Sequence, residues 1–283
     1  MQTTNDLLDT YKRHPFAHGL LPFEAALRAL ATPFPRIYIE QEGRQRWVVY
    51  DKKTKQPALF SHAAVLAASD DQETGNYVPQ GQEVPLNVEA KQNRANSKCF
   101  YTYIFDTFTD ISLYEGQWTL DDLMRGVSGF NPGDLKRRSY LSGQDPKFRN
   151  RFWMQTPMFL RRGPQEARVP APAHLHPWVV RGDQESKVFR ANPDRPRVWE
   201  KVNDDILPIG GQGPRYLQRG DVVGVSFTVT YHLTAVNWFA QFHPADIVLL
   251  KTSDGDSTDY SAPALNLYNR PPPSFDAVLV AEG

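Results

Sequence analysis

Gly220-Asp221-Val222-Val223-Gly224-Val225-Ser226-Phe227-Thr228-Val229-Thr230-Tyr231-His232-Leu233 decides how the rest of this chain is read. Val223, Val225, Phe227, Val229 and Tyr231 alternate with Gly224, Ser226, Thr228, Thr230 and His232. Successive side chains of a strand point to opposite faces, so this period of two predicts a long strand with one apolar, buried face. Gly220-Asp221 supplies the turn before it. Asp246–Lys251 predicts a second, more buried strand, and the aromatic stretch Trp238–Pro244 lies between the two.

Outward from that pair, the chain alternates short helices with strand-like segments. Pro22 starts a helix over Phe23–Leu30, because proline at a helix start costs no hydrogen bond, and Pro33 stops it. Arg36–Glu40 and Arg46–Tyr50 predict a hairpin turned at Gly43. Ser61 is placed as the cap of a short alanine-rich helix running through Leu66 and Ala68. Residues 70–99 read as a solvated acidic loop, with no basic residue between Asp70 and Lys91. Phe100–Thr109 returns to strand composition, and Thr119–Met124 predicts a helix with Leu120, Leu123 and Met124 on one face. A second short helix is expected from about Pro132 to Tyr140, with Asp134 in its first turn and basic residues at its end. Further strands are expected at Phe152–Phe159, Trp178–Arg181, Lys187–Arg190, Arg197–Lys201 and Ala277–Val280, with Gly182-Asp183 as a hairpin turn.

Composition supports this pattern. The 23 prolines among 283 residues disfavour long helices and favour turns and sheet edges. The expected fold is α+β and predominantly β: an antiparallel sandwich or open-barrel-like C-terminal body with short helices before it. The acidic loop divides residues 1–95, a small α/β N-terminal section, from residues 96–283, a β-rich main domain. The 32 basic and 32 acidic residues balance, which argues against general polyanion binding but leaves local patches open. No basic-plus-apolar leader opens the chain, and no apolar run approaches the roughly 18–20 residues of a transmembrane helix. Cys99 is the single cysteine, so neither an intrachain disulfide nor a cysteine zinc cluster forms, and an intracellular, cytoplasmic or nuclear setting fits. Its aromatic neighbours make it a buried structural thiol.

The strongest charge asymmetry lies between Arg125 and Arg162. Nine basic residues stand against Asp134 and Asp145, a net charge of +7, interleaved with Phe130, Tyr140, Phe148, Phe152, Trp153 and Phe159. Cations beside exposed aromatic faces suit phosphate contact and base stacking. Arg137, Arg138, Lys147, Arg149, Arg151 and Trp153 are therefore the expected nucleic-acid-binding residues of a binding protein. The competing reading puts the arginines on solvated edges and the aromatics in the core. The acidic segments at 70–90 and after Ser253 could neutralise the patch, which leaves homo-oligomer formation open.

Two other function classes fit parts of the sequence. His174 and His176 share a side if their segment is extended, and His232, His243, Asp221 or Asp246 could complete a metal site. A histidine-dependent hydrolase would use His232 or His243 as base, Asp221 or Asp246 to orient it, and Ser226 as nucleophile. Ser226, however, sits mid-strand and lacks the sharp turn of a serine nucleophile. The third class is a structural, self-assembling β protein, which the proline-rich connections also fit. Gly210-Gly211-Gln212-Gly213 and Gly126-Val127-Ser128-Gly129 are turns, lacking the Lys-Ser/Thr or strand-turn-helix context of nucleotide loops. No cofactor is indicated.

Overall fold

A computed structural model describes residues 3–83, 91–92, 94–108, 110–138, 150–163, 166–167, 169–172, 174–202, 205–209 and 216–253. In chain order these form α1 (Thr4–Arg13), β1 (Leu21–Pro22), α2 (Phe23–Arg28), β2 (Ile37–Gln41), β3 (Arg46–Asp51), β4 (Phe60–Ser69), β5 (Tyr77–Val78), β6 (Lys91–Gln92) and β7 (Phe100–Asp106). Then follow α3 (Ser112–Arg125), β8 (Arg151–Pro157), β9 (Phe159–Arg161), α4 (Pro177–Glu185), β10 (Phe189–Ala191), β11 (Arg197–Val202), β12 (Asp205–Pro208), β13 (Val222–Leu233) and β14 (Trp238–Lys251). The fold is mixed α+β, dominated by one mostly antiparallel sheet.

That sheet has ten strands, ordered β12-β11-β14-β13-β4-β7-β8, with β1, β2 and β3 joined at its side. β13 is its spine. It pairs along its whole length with β14, while its other edge is shared between β4 at Val222–Phe227 and β3 at Thr230–His232. Strands from both sides of residue 95 therefore belong to one ladder. Only β1–β4 and β11–β14 run parallel within the sheet. β8 comes back alongside β14, where the Thr156 hydroxyl donates to the Pro244 carbonyl at 3.1 Å. Among the described residues no ladder joins those two strands, so the sheet is not closed into a barrel.

The apolar alternate residues of β13 face the main core. Val223, Val225, Phe227, Val229 and Tyr231 are buried there with Phe60, Tyr103, Phe105, Phe152 and Phe242, under α2 and α3. Phe23 of α2 meets Phe60, Phe227 and Phe242 edge-on at 5.2, 5.1 and 6.3 Å. α3 approaches closely because Gly116 has no side chain; a Cβ there would lie 2.2 Å from the Phe23 ring. On the opposite face, Leu7 and Leu8 of α1 cover Ala63 and Val222, and Phe16 lies with Trp199, Ile206 and Val248. α1 is held by a capping box in which the Asp6 amide donates to Thr3 Oγ1 and the Thr3 amide donates to the Asp6 carboxylate.

Several expectations are corrected. The alanine-rich segment 60–69 is a central strand, because small residues let α1 press on one side of it while the core fills the other: packing overrides alanine's helix preference. Trp178–Arg181 is helical, and Gly182-Asp183 lies within that helix. Pro177 starts α4, and the Trp178 amide donates to His176 Nδ1 at 3.1 Å, which caps it. Residues 132–138 form no helix. The Asn131 side chain exchanges two 2.9 Å hydrogen bonds with the Leu135 backbone, and Arg137 then bridges to Trp238. The described part of the acidic segment is packed: Tyr77 and Val78 are buried, and β5 pairs with β6. Cys99 is buried, and burial pushes its thiol pKa up. The expected strand 277–280 and the glycine loop 210–213 lie outside the described residues.

Candidate nucleic-acid interface

Among the described residues no helix covers the outer face of the far half of the β13–β14 ladder. Directly opposed residues of an antiparallel pair project to the same side. The register sets Thr228 against His243, Thr230 against Gln241 and His232 against Phe239, and across the other edge Thr230 meets Val48 and His232 meets Arg46. Thr228, His232, Phe239, Gln241 and His243 are half-buried.

Phe239 is the centre of this face. The His232 ring stacks on it with centroids 5.3 Å apart and planes at 23°, and the Arg138 guanidinium lies 5.6 Å from its centroid. Arg138 is exposed, yet its backbone is fixed: its amide donates to the Trp238 carbonyl at 2.7 Å. Among the described residues no carboxylate pairs with Arg138 or Arg151. Thr230 Oγ1 lies 2.8 Å from His243 Nε2 and 3.0 Å from His232 Nε2. Burial, then the neighbouring His232 and Arg46, push the His243 pKa down to about 4. Burial and Arg46 lower that of His232. Both imidazoles are neutral at pH 7, and the Gln155 carbonyl also holds the His243 ring.

Aromatic groups flank this centre on both sides. On β2 and β3, Tyr38 and Tyr50 stack at 5.5 Å and 26°, with Lys55 Nζ 5.4 Å over Tyr38. On β8, Arg151, Trp153 and Gln155 share the half-exposed alternate positions. Acids sit at the rim, where Arg46 is ion-paired with Glu42 and the Tyr50 hydroxyl donates to Glu42 at 3.0 Å.

Of the six expected binding residues, Arg151 and Trp153 are on outer positions of β8, and Arg138 reaches Phe239 from the irregular segment beside β14. Arg137 turns inward to an ion pair with Asp121, whose carboxyl also accepts from the Tyr231 hydroxyl at 3.2 Å. Burial holds the Asp121 pKa above its ordinary value despite Arg137. Lys147 and Arg149 lie outside the described residues. Arg125 and Arg162, also in the basic stretch, pair with Asp122 and Asp183. Phe239, His232, Tyr38, Tyr50 and Lys55 are the face residues that the basic stretch did not point to. The period of two placed His232 on the polar side of β13, and that alternation is the signal that could have found the face.

The hydrolase residues do not come together. Ser226 donates to Asp246 Oδ2 at 3.0 Å, in a buried network where Trp199 Nε1 donates to Asp246 Oδ1 at 3.0 Å and Arg197 pairs with the same oxygen at 2.6 Å. No histidine enters it. Asp221 accepts turn amides from Gln218 and Ser253. His176 caps α4, and His174 lies where burial, with Arg195, lowers its pKa. Among the described residues no group of three or more His, Cys, Asp or Glu could hold a metal ion. Among them, too, no helix is long and apolar enough to cross a membrane.

No protein-family model matches the chain, and no curated protein matches it. Among solved structures it is similar to gp2.5, a single-stranded DNA binding protein encoded by bacteriophage T7. The TM-score is 0.31 at 8% identity, covering 71% of this chain and 92% of that one. A likeness of that size transfers neither residues nor activity.

Proposed function

We propose that this chain binds single-stranded nucleic acid across the outer face of β3, β13, β14 and β8. In this reading β13, β4, β7, β8 and β14 are the wall of an open barrel, and the strand crosses its exterior. The observation that carries the reading is Phe239, half-exposed on a sheet, flanked by a neutral histidine ring and an arginine with no carboxylate partner among the described residues. A flat aromatic platform takes the face of an unstacked base, and the guanidinium beside it takes the phosphate. Tyr38 and Tyr50 on one side and Trp153 on the other extend the platform across the strands. A duplex hides its base faces and gains little from such a track.

Anisotropy titrations with labelled single-stranded DNA, RNA and duplex test this. Affinity should fall linearly on logarithmic axes with salt, by a slope of about −0.7 per phosphate contacted. Phe239→Ala should cost about 1–3 kcal/mol of binding, as loss of a stacking side chain does. Arg138→Gln should shallow the salt slope. Equal affinity for duplex, or an unchanged Phe239→Ala, overturns the proposal.

A further inference from the structure

β3 turns Arg46, Val48 and Tyr50 to the outer face, since alternate residues of a strand share a side. Arg46 stands opposite His232 in the ladder, and His232 stacks on Phe239, so this end of β3 adjoins the aromatic centre. Tyr50 stands opposite Tyr38 and stacks on it. Val48 between them is buried, which leaves the Arg46 guanidinium and the Tyr50 hydroxyl as the polar groups that β3 offers there.

Both groups converge on one carboxylate. Arg46 Nη1 pairs with Glu42 Oε2, and the Tyr50 hydroxyl donates to Glu42 Oε1 at 3.0 Å. Each oxygen has its own donor, as two oxygens of one phosphate have when separate groups hold them. The exposed helix pairs differ: Arg28–Glu24, Arg125–Asp122 and Arg181–Glu185 each join a single arginine to a carboxylate one turn away. The hydrogen bond to Glu42 holds the Tyr50 pKa above its ordinary value, so the hydroxyl keeps its proton and stays a donor. Glu42 stands in the turn between β2 and β3, where its amide donates to the Arg46 carbonyl at 2.8 Å. With the backbone fixed, rotation of the side chain alone frees both donors. The two side chains are 47% and 46% exposed, and an ion pair so open to water contributes little.

We propose that Arg46 and Tyr50 form a phosphate site of the binding face, which Glu42 occupies in the free chain and yields to a phosphodiester of the bound strand. The inference rests on the nucleic-acid reading of the outer face and adds to it a phosphate contact and a built-in competitor. A strand stacked on Phe239 presents its neighbouring phosphates to Arg46 at high effective concentration, so an anion held as weakly as Glu42 gives way. The phosphate then accepts from the guanidinium and the hydroxyl together, and the carboxylate turns out to water. A base edge carries no charge to exchange for the carboxylate, and it would leave Glu42 in place.

The test titrates a labelled single strand of DNA with wild type, Glu42→Gln, Arg46→Gln and the double variant, with Phe239→Ala alongside. Both positions are exposed, and melting curves establish that each variant is folded before titration. Glu42→Gln should tighten binding about two- to fivefold at low salt, since an exposed ion pair no longer competes. Arg46→Gln should weaken binding and shallow the logarithmic salt slope by about 0.7, the loss of one phosphate contact. In the double variant the gain from Glu42→Gln should disappear, because no guanidinium remains to be freed. A gain of equal size with and without Arg46 reflects only the removal of a negative charge, and overturns the inference. Unchanged affinity in Glu42→Gln, or an unchanged salt slope in Arg46→Gln, overturns it as well. The face proposal stands in each of those cases if Phe239→Ala still weakens binding. Wild-type protein that binds no strand at low salt removes both proposals together.

Discussion

β13 and β14 run as one ladder, yet their outer face has two fates. In the near half, Val222, Gly224 and Ser226 are sealed: α1 covers Val222, Phe16 lies against Gly224, and Ser226 joins the Asp246 network. In the far half, Thr228, His232, Phe239, Gln241 and His243 keep part of their surface in water. Both halves obey the same alternation, and both turn apolar residues to the same core. Side-chain size decides the difference. Gly224 and Ala63 let another layer come down onto the sheet, whereas threonine, histidine and phenylalanine hold the surface open. A period of two therefore identifies a face without telling whether solvent or protein will cover it.

The comparison breaks hardest at Asp246. Its carboxylate is 5% exposed and ties Ser226, Trp199 and Arg197 into the near half. Asp246→Ala should cost about 3–5 kcal/mol, because it leaves a guanidinium buried without its countercharge. Urea denaturation measures this, and a loss below about 1 kcal/mol would mean that water already serves those groups.

pH sharpens the contrast between interior and face. His62 is fully buried inside the wall, 3.0 Å from Ser112 Oγ, and faces the Lys12–Asp110 ion pair. Burial, with Lys12, pushes its pKa from 6.5 down to about 3, while Asp110 pulls the other way. His243 on the far face falls to about 4. Both histidines bind protons more readily unfolded than folded, so stability is complete above about pH 6.5 and drains as pH falls below it. The slope is about 1.4 kcal/mol per unit for each histidine, ending near pH 4 for His243 and near pH 3 for His62. Stability should fall less steeply between pH 7 and 4 in a His62→Gln variant than in wild type, by about 1.4 kcal/mol per pH unit, as denaturation curves across that range measure. Equal slopes would place His62 in contact with water.

Gly224 gives a smaller and more local test. A Cβ there would lie 2.8 and 3.1 Å from Phe16 ring atoms, so Gly224→Ala should cost about 1–3 kcal/mol by overpacking. Thr228→Ala, four residues along β13 on the open half, should stay within about 0.5 kcal/mol. Similar losses at both sites would erase the distinction between the halves.

What the chain discloses by itself follows the same division. Segments whose partners are local were legible: the β2–β3 hairpin, β7, β11 and the apolar side of β13 all follow from alternation and turn residues. Segments decided by distant partners were not. β4 carries helix-favouring alanines that α1, some fifty residues earlier, turns into strand positions. Residues 135–138 are extended because Trp238 accepts them at an edge a hundred residues away. The site divides likewise. Basic-aromatic composition pointed to Arg138, Arg151 and Trp153, but could not show that Asp121 draws Arg137 inward. Phe239 and His232 read as an ordinary aromatic stretch and a polar alternate position until the ladder set them opposite each other.

Thr230 is the subtlest place to test whether the open half is a surface or a second core. Its hydroxyl has one proton, so it donates to one imidazole Nε2 and accepts from the other; the two histidines therefore hold opposite tautomers. Thr230→Val keeps the strand preference and nearly the volume while deleting both hydrogen bonds. Because each ring nitrogen can turn to water on a half-exposed face, the loss in stability should be at most about 1 kcal/mol. The imidazole resonances of His232 and His243 in nuclear magnetic resonance spectra should nevertheless shift together. A loss approaching that of Asp246→Ala would mean that the far half is locked as firmly as the near one, leaving its rings no freedom to meet a base.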